Sequence, residues 1–276
     1  MRADIDSDGA AIVALARLAA PHALAIFVVT LVMLLALACA LWWARHRLIV
    51  VRGHADSPPP WMLGLRLAIG FVAIVAGASL FAEIADELHA QAALGAADEV
   101  ITEAVRTVPV PVLQFFAVVT RFGDVAPLTV ACIVIAGALV VIGRRWLAFA
   151  WVVAMAGNAV LNLTLKQVFA RVRPLHDDGL VLAHGFSFPS GHSSGAVVAY
   201  GMLAYVATRW LPARWHLPVW LVALALAFTI GASRMFLRVH YVSDVLAGFA
   251  TGSAWLAVCI ASIVLGRWYR ERRAGA

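Results

Sequence analysis

Two histidines stand close to small polar or basic residues in the second half of the sequence, a combination that can hold an anion and move a proton. His192 lies in FPSGHSSG, residues 188–195, directly before an apolar run that predicts a helix. Ser190 can cap that helix, whose first N–H groups favour an anion. Gly191 lets the backbone approach a ligand closely, and His192 titrates near neutral pH. A cap without chemistry is the alternative for this stretch alone.

The second histidine lies in SRMFLRVHYVSDV, residues 233–245. His240 and Asp244 are four residues apart at the predicted start of the last helix. The carboxylate can accept a hydrogen bond from one imidazole nitrogen and leave the other with a free lone pair. On one continuous helix Arg234 would point about 120° away from His240, so a break between two helices is required. The alternative is an ion pair that only caps a helix.

A third stretch, LKQVFARVRP, carries two cations at helical spacing. Lys166 and Arg173 are seven residues apart, so a helix that continues through them would project both from one face. Pro174 prevents the helix from continuing much further. Two anchoring residues at a membrane surface are the alternative interpretation.

The elements that must position these residues are membrane helices. The 276 residues are 63% hydrophobic and 13% charged, with a mean hydropathy of +0.91, which is far more apolar surface than one soluble core can bury. Residues 23–43 carry no charge and are long enough to span a bilayer. The sequence predicts an all-α, polytopic membrane helix bundle with seven spans. The other six are residues 61–82, 125–143, 146–165, 191–208, 217–233 and 242–266.

The charge distribution predicts the orientation of the chain. Eleven arginines fall on one side of the predicted spans and nearly every acid on the other, which is the positive-inside pattern. The arginines are Arg45, Arg47, Arg52, Arg144, Arg145, Arg209, Arg214, Arg267, Arg270, Arg272 and Arg273. The opposite side includes Asp4, Asp6, Asp8, Glu83, Asp86, Glu87, Asp98, Glu99, Glu103, Asp177 and Asp178. We expect the N-terminus outside, the C-terminus inside and no nucleic-acid partner, despite the net charge of +6.

Other segments predict supporting structure. The first span is interpreted as a retained anchor, because acidic residues precede it and arginines follow it. Residues 83–124 predict two short helices at the membrane interface, either a packing connector or a lid that guides substrate. Cys39, Cys132 and Cys259 each lie inside an apolar span and are interpreted as buried hydrophobic residues.

The three stretches together resemble the type 2 phosphatidic acid phosphatase family of membrane lipid phosphatases. The motifs K-x6-R-P, P-S-G-H and S-R-x5-H-x3-D occur in that order and, by the charge argument, at the same membrane face. The matching residues are Lys166, Arg173, Pro174, Pro189, Ser190, Gly191, His192, Ser233, Arg234, His240 and Asp244. The resemblance implies a six-helix phosphatase core over residues 61–266. Residues 1–60 would add an external N-terminus, an extra transmembrane helix and a cytoplasmic linker, and residues 267–276 a basic cytoplasmic tail.

The resemblance also implies roles for these residues. Lys166, Arg173 and Arg234 would bind the phosphate oxygens with Ser190 and Gly191. His240, oriented by Asp244, would attack phosphorus to give a phosphohistidine, and His192 would protonate the leaving oxygen. Arg171 and Arg238 fall off the predicted faces and are secondary candidates for headgroup binding. We expect no cofactor and no metal, since three fixed cations would neutralise the phosphate.

The implied function is hydrolysis of a lipid phosphomonoester or pyrophosphate at the outer face of a bacterial-type inner membrane. Two alternatives remain open at this stage. A phosphotransferase could pass the phosphoryl group to a second lipid, and a non-catalytic protein could use the cations only to hold headgroups. A vanadate-dependent haloperoxidase is a more remote third. The sequence identifies neither the lipid nor the oligomeric state.

Overall fold

All regular structure in the described part of the chain is helical. The computed structural model describes residues 7–51, 60–90, 92–174, 181 and 183–274. Asp4, Asp6, Arg52, Asp177 and Asp178 of the predicted charge pattern lie outside these ranges. The helices are α1 Ser7–Ala19, α2 Ala23–Val51, α3 Pro60–Ala90, α4 Ala92–Ala104, α5 Val110–Val119, α6 Val125–Val141, α7 Arg145–Phe169, α8 Gly191–Ala207, α9 His216–Phe236 and α10 Val242–Ala274.

Each predicted span coincides with a helix, and the chain is a multi-pass membrane protein. Five segments of the described chain are long and apolar enough to cross a bilayer. They are Gly9–Ala44, Leu63–His89, Arg145–Phe169, Ala213–Phe236 and Val242–Arg273. Helices α6 and α8 have 17 residues each, which gives about 25 Å of helix against a hydrocarbon core of about 30 Å. Complete crossing by these two helices therefore stays a prediction.

Helix α8 is the interior helix of the bundle and packs against α7, α9 and α10. Eleven of its 17 residues are buried, so its outward-facing lipid surface is small. Close approach of α10 depends on a glycine, because a Cβ on Gly248 would lie 2.6 Å from the carbonyl oxygen of Ser190. The Ser190 N–H donates to the Asp244 carbonyl at 2.9 Å. This packing fixes the N-terminus of α8 beside the first turn of α10.

The segment predicted as interfacial differs in its boundaries. Helix α3 continues to Ala90, so residues 83–90 belong to that helix. The prediction of two short helices is confirmed: α4 and α5, each extended by a 3-10 turn, meet at 114°. The Phe116 ring stacks on Phe236 of α9 with centroids 4.4 Å apart, which attaches α5 to the bundle. The depth of these helices in the membrane stays a prediction.

The first and last elements of the described chain are also helices. Helix α1 packs against α4, and α2 packs against α9, where the Phe27 ring stacks on Phe228. Most of α2 faces outward, as expected of a helix at the lipid boundary. Helix α10 continues to Ala274, so most of the predicted basic tail is helix. Cys39, Cys132 and Cys259 are free thiols, and of these only Cys259 is buried.

Candidate active site

His240 lies in the turn between α9 and α10. Helix α9 ends at Phe236 and α10 begins at Val242, so the required break is present, whereas the prediction that His240 begins the last helix is wrong. The turn is closed by the Arg234 carbonyl, which accepts from the His240 N–H at 3.2 Å. His240 is 2% exposed. Its Nδ1 is 3.2 Å from Oδ2 of Asp244, which also accepts the backbone N–H of Tyr241 at 3.0 Å.

The hydrogen bonds of His240 define its tautomer. Nη1 of Arg173 is 3.0 Å from Nε2 of His240. A guanidinium group can only donate, so Nε2 is the acceptor and carries the lone pair, and the proton resides on Nδ1 and is donated to Asp244. Burial lowers the pKa of His240 well below 6.5, and the charges of Arg173, Arg234 and Lys166 lower it further. The ring is therefore neutral at pH 7, with Nε2 available as a nucleophile or base.

Arg173 reaches His240 from a non-helical segment, which corrects the prediction that it shares a helix face with Lys166. Helix α7 ends at Phe169, and Ala170 has a φ of +45°, in the left-handed region that ends helices. The guanidinium group also donates to backbone oxygens. These acceptors, at 2.7–3.2 Å, are the carbonyls of His184, Gly185, Phe186 and Val239. Arg173 thus clamps the loop before α8 onto the His240 turn.

Lys166 and Arg234 bring two more cations to the same place. Nζ of Lys166 donates to the carbonyls of Phe186 and Ser187, which leaves one of its three donors for a ligand. Arg234 is 2% exposed, and its Nη1 donates to Oγ1 of Thr120 at 2.8 Å. Nε of Arg234 is buried and has no partner among the described residues. An unpaired buried N–H group is costly, and a bound anion that accepted from it would remove that cost.

The N-terminus of α8 supplies backbone donors. The prediction that Ser190 caps the helix is confirmed, since its side chain accepts from the Ser193 N–H. A Cβ on Gly191 would lie 3.0 Å from Oδ1 of Asn162, so glycine allows this close approach to α7. The first N–H groups of a helix have no intrahelical partner. Those of Gly191 and His192 are therefore suited to bind an anion.

His192 is paired with a carboxylate that the sequence motifs do not contain. Its Nε2 is 2.8 Å from Oδ1 of Asp124, which immediately precedes α6. This contact holds Nε2 in place and leaves Nδ1 for a second partner. Gly123 makes room for the ring, because a Cβ there would lie 3.0 Å from Cδ2 of His192. Each of the two histidines in the site thus has one nitrogen held by an aspartate.

Arg171 has a different environment from the headgroup contact predicted for it. Its guanidinium group donates to Asp244 at 2.7 Å, to Asp98 at 2.8 Å and to Ser243 at 2.7 Å. Burial lowers the pKa of Arg171, but the carboxylates of Asp244 and Asp98 outweigh that effect and raise it. We therefore interpret Arg171 as a positioning residue that holds Asp244. Arg238, the other secondary candidate, is buried to the same degree as Arg234, and its headgroup contact stays a prediction.

Sequence reasoning missed three polar residues of the site. Asp124 lies 68 residues from His192, Asp98 lies 73 from Arg171, and Thr120 lies 114 from Arg234. All three belong to the segment 83–124, which the sequence places on the same face as the motifs. A weak signal was present in Asp124, an acid between Gly123 and an apolar run. Within the described residues, no group of three or more His, Cys, Asp or Glu side chains is arranged to hold a metal ion.

Comparison with known proteins gives consistent relatives. A sequence profile described as the PAP2 superfamily matches residues 147–268. The chain is 32% identical over 177 residues to phosphatidylglycerophosphatase B of Bacillus subtilis, covering 62% of this chain and 85% of that protein. It is 30% identical to lipid A 1-phosphatase of Rhizobium johnstonii, covering 58% of this chain and 70% of the relative.

A solved structure extends the match to the fold. The crystal structure of a transmembrane PAP2-type phosphatidylglycerolphosphate phosphatase from Bacillus subtilis superposes with a TM-score of 0.62 at 30% identity. The match covers 67% of this chain and 94% of the solved one. The resemblance found in the three motifs is thereby confirmed, over 94% of the solved chain. The chain belongs to the PAP2 superfamily.

Proposed function

We propose that this protein hydrolyses a phosphomonoester of a membrane lipid through a phosphohistidine at His240, without a metal ion. One observation carries the proposal: the Nε2 lone pair of His240, fixed by Asp244 and Arg173, is close enough to Arg173, Arg234 and Lys166 for all three positive charges to act on the imidazole. A neutral imidazole surrounded by cations is suited to attack an anionic phosphorus centre. The named relatives, which are lipid phosphatases, support the reaction class.

In the first step Nε2 of His240 attacks phosphorus, forming an N–P bond as the P–O bond to the lipid breaks. The lipid oxygen takes the proton of His192, whose free nitrogen Nδ1 is opposite the one held by Asp124. Asp244 stabilises the positive charge that develops on His240. Lys166, Arg173 and Arg234 bind the phosphoryl oxygens, with the N–H groups at the start of α8. Removing one such donor typically costs about 100- to 1000-fold in kcat.

In the second step water attacks the phosphohistidine. His192, now neutral, accepts a proton from that water, and the N–P bond breaks to release inorganic phosphate. His240 recovers its neutral form and its hydrogen bond to Asp244. Each proton taken by a leaving group is thereby returned by water, so the cycle balances without any further co-reactant. General acid and base catalysis of this kind contributes about 100- to 10,000-fold.

We infer that phosphatidylglycerophosphate is the first substrate to test. The relative with 32% identity and the solved structure both carry that activity in their names, while the Rhizobium relatives are named for lipid A. We place the reaction at the outer face of the inner membrane, on the strength of the positive-inside pattern. Phosphate release from a panel of phosphatidylglycerophosphate, phosphatidic acid, undecaprenyl pyrophosphate and lipid A would rank the substrates.

The intermediate can be trapped directly. Purified protein mixed with lipid labelled with ³²P in the phosphomonoester, then quenched in alkali, should carry an acid-labile, base-stable label. His240→Ala should abolish both label and turnover, whereas His216→Ala, at the other end of α9, should retain both. Full phosphate release by His240→Ala would refute the nucleophile assignment. Loss of turnover on chelation, restored by magnesium, would refute the metal-free mechanism.

A further inference from the structure

A cavity lined largely by charged residues lies at the end of the bundle opposite the candidate active site. It encloses about 590 Å³, and we name it the arginine cavity. Its lining contains Arg144, Arg145, Trp146, Arg209, Trp210, Arg267, Arg270 and Glu271. The cavity thus combines five arginines with one acid, and Glu271 already pairs with Arg267 at 3.1 Å.

Three helices connect this cavity with the active site, and their lengths give the separation between the two. Helix α7 begins at Arg145 and carries Lys166 near its other end. Helix α8 begins beside Ser190 and ends just before Arg209. Helix α10 carries Asp244 in its first turn and Arg267 near its last turns. At 1.5 Å per residue each helix separates the two sites by roughly 25 to 35 Å, which is about the thickness of a bilayer core.

Several arginines of the cavity are held in place without losing their capacity to bind an anion. The guanidinium carbon of Arg270 lies 4.8 Å from the ring centroid of Trp146. Arg209 lies over the Tyr205 ring at 4.6 Å and donates to its hydroxyl group. Cation–π contacts orient a guanidinium group while leaving N–H donors available. In the described part of the chain, Arg144 and Arg145 have no side-chain partner.

We propose that the arginine cavity binds the phosphate-bearing headgroup of an anionic phospholipid in the leaflet opposite the active site. One guanidinium group can bind phosphate through two parallel N–H···O hydrogen bonds. Basic pockets between transmembrane helices bind anionic headgroups. The surroundings favour a lipid over free phosphate. Trp146 and Trp210 are the residues typical of the membrane interface. Val141 and Ile142, directly before the cavity, are 85% and 55% exposed and can contact acyl chains.

The inference differs from the general effect of positive residues at the inner surface. A diffuse surface effect depends on the number of charges, whereas a site depends on where they are. Arg214 and Arg273 are on the same predicted face and are exposed, but neither lines the cavity. Removing them is a matched control for removing Arg144 and Arg145, because both changes delete two charges. The inference does not depend on the proposed reaction, since both pairs are remote from His240.

The test measures lipid binding to the full-length protein in neutral detergent by native mass spectrometry. Dioleoyl phosphatidylglycerol, dioleoyl phosphatidylcholine and inorganic phosphate are the three probes. We expect the wild type to bind phosphatidylglycerol in preference to phosphatidylcholine. R144Q/R145Q should weaken binding of phosphatidylglycerol about tenfold or more, and R214Q/R273Q should change it less than about twofold. Thermal melting would verify that each variant is folded.

Four outcomes would overturn the inference. Equal losses in the two double variants would indicate a diffuse surface effect. Equal binding of the two lipids would show that the cavity does not select an anionic headgroup. Binding of inorganic phosphate without phosphatidylglycerol would show that the ligand is free phosphate and not a lipid. A second variant, Glu271→Gln, deletes the one acid of the cavity lining and should strengthen binding of phosphatidylglycerol severalfold. Unchanged or weaker binding in Glu271→Gln would also contradict the inference, whether or not R144Q/R145Q folds.

Discussion

At the scale of single residues, the protonation of His240 is controlled by its neighbours. Burial, followed by the charges of Arg173, Arg234 and Lys166, places the pKa of His240 below its ordinary value of about 6.5. The unfolded chain therefore binds more protons than the folded protein between these two pKa values. His240 disfavours the folded state progressively as the pH falls below 6.5, and has no such effect at higher pH. His240, the proposed nucleophile, accordingly stays neutral throughout the physiological range.

This leads to a prediction about the pH profile of kcat/KM. The acidic limb that belongs to His240 should lie below pH 6.5. Arg173→Gln removes one neighbouring positive charge and should move that limb toward 6.5, in addition to lowering the rate. Ionisation of the substrate affects the wild type and Arg173→Gln equally. The difference between their two pH profiles therefore reports the change in the pKa of His240. Identical limbs in wild type and Arg173→Gln would contradict the prediction.

The pair of His192 and Asp124 predicts a dependence on the leaving group. A lipid alkoxide needs a proton as it departs, whereas p-nitrophenolate is a weak base and departs without one. Asp124→Asn should therefore lower kcat/KM, which reports the first phosphoryl transfer, about 100-fold or more for a lipid phosphomonoester and much less for p-nitrophenyl phosphate. Steady-state kinetics on the two substrates would measure the ratio. A loss of the same size for both would show that Asp124 only supports the fold.

The two aspartate partners show where residue-level prediction from sequence ends. Asp244 was identified because it lies four residues from His240, within one helical turn. Asp124 performs the corresponding task for His192 from 68 residues away, and no local spacing connects the two. Helix packing alone brings them together. The motifs therefore predict the residues on the last four helices and the loops between them, but not their partners on the segment 83–124.

At the scale of elements, Arg171 connects three parts of the chain. It follows α7 and binds Asp98 on α4 as well as Asp244 and Ser243 on α10. Asp98 in turn accepts the backbone N–H of Ser243 at 3.1 Å. Breaking a buried ion pair by removing one partner typically costs about 3 to 5 kcal/mol, because a charge is left without compensation. This network should therefore stabilise the fold as well as the geometry of Asp244.

The network predicts coupled losses of stability. Arg171→Gln and Asp98→Asn should each lower the thermal midpoint in detergent by several degrees, and the double variant should lose less than the two separate losses added. Arg106→Gln is a suitable control, since its pair with Glu103 is exposed and such pairs contribute about 1 kcal/mol or less. Additive losses, or a loss in Arg106→Gln as large as in Arg171→Gln, would contradict the network.

Element boundaries explain why one sequence argument was wrong. The spacing of Lys166 and Arg173 suggested one helix face, yet α7 ends at Phe169 and the chain continues without regular structure. Arg173 still reaches the site, because loop carbonyls hold it against the His240 turn. The distance along the chain between Lys166 and Arg173 is thus explained by the contacts of Arg173 with the loop carbonyls, and not by the periodicity of a helix. The cap at Ser190, which depends only on local chemistry, was predicted correctly.

At the scale of the whole molecule, composition was sufficient for the fold class and the helix positions. Apolar runs indicate where each span lies because a bilayer requires continuous apolar helix. They do not show which helix is interior. Helix α8 contains serine and glycine because it packs against other helices on most of its surface. Nor do the apolar runs show the 114° angle between α4 and α5, since α4 packs against α1 and α5 packs against α9, and these runs do not predict those contacts.

The charge distribution predicts how the molecule lies in the membrane. With the arginine end inside, a fluorescent protein fused after Ala276 should fold in the cytoplasm and fluoresce in intact cells. Alkaline phosphatase fused at the same position should be inactive there, because it requires export. Active alkaline phosphatase and a dark fluorescent fusion would reverse the predicted topology and move the active site to the cytoplasmic face.

The contact of Arg173 with Nε2 of His240 has a consequence for selectivity. While no substrate is present, the reactive electron pair is shielded by the same group that would later grip the phosphoryl oxygens. In the proposed mechanism, a ligand with strong negative charge accepts from Nη1 of Arg173 in place of Nε2 and so uncovers that electron pair. Neutral electrophiles that diffuse in from the bilayer should react slowly with the imidazole, because Nε2 still accepts a hydrogen bond from Arg173. A site that works in this way would favour anions before any bond is made.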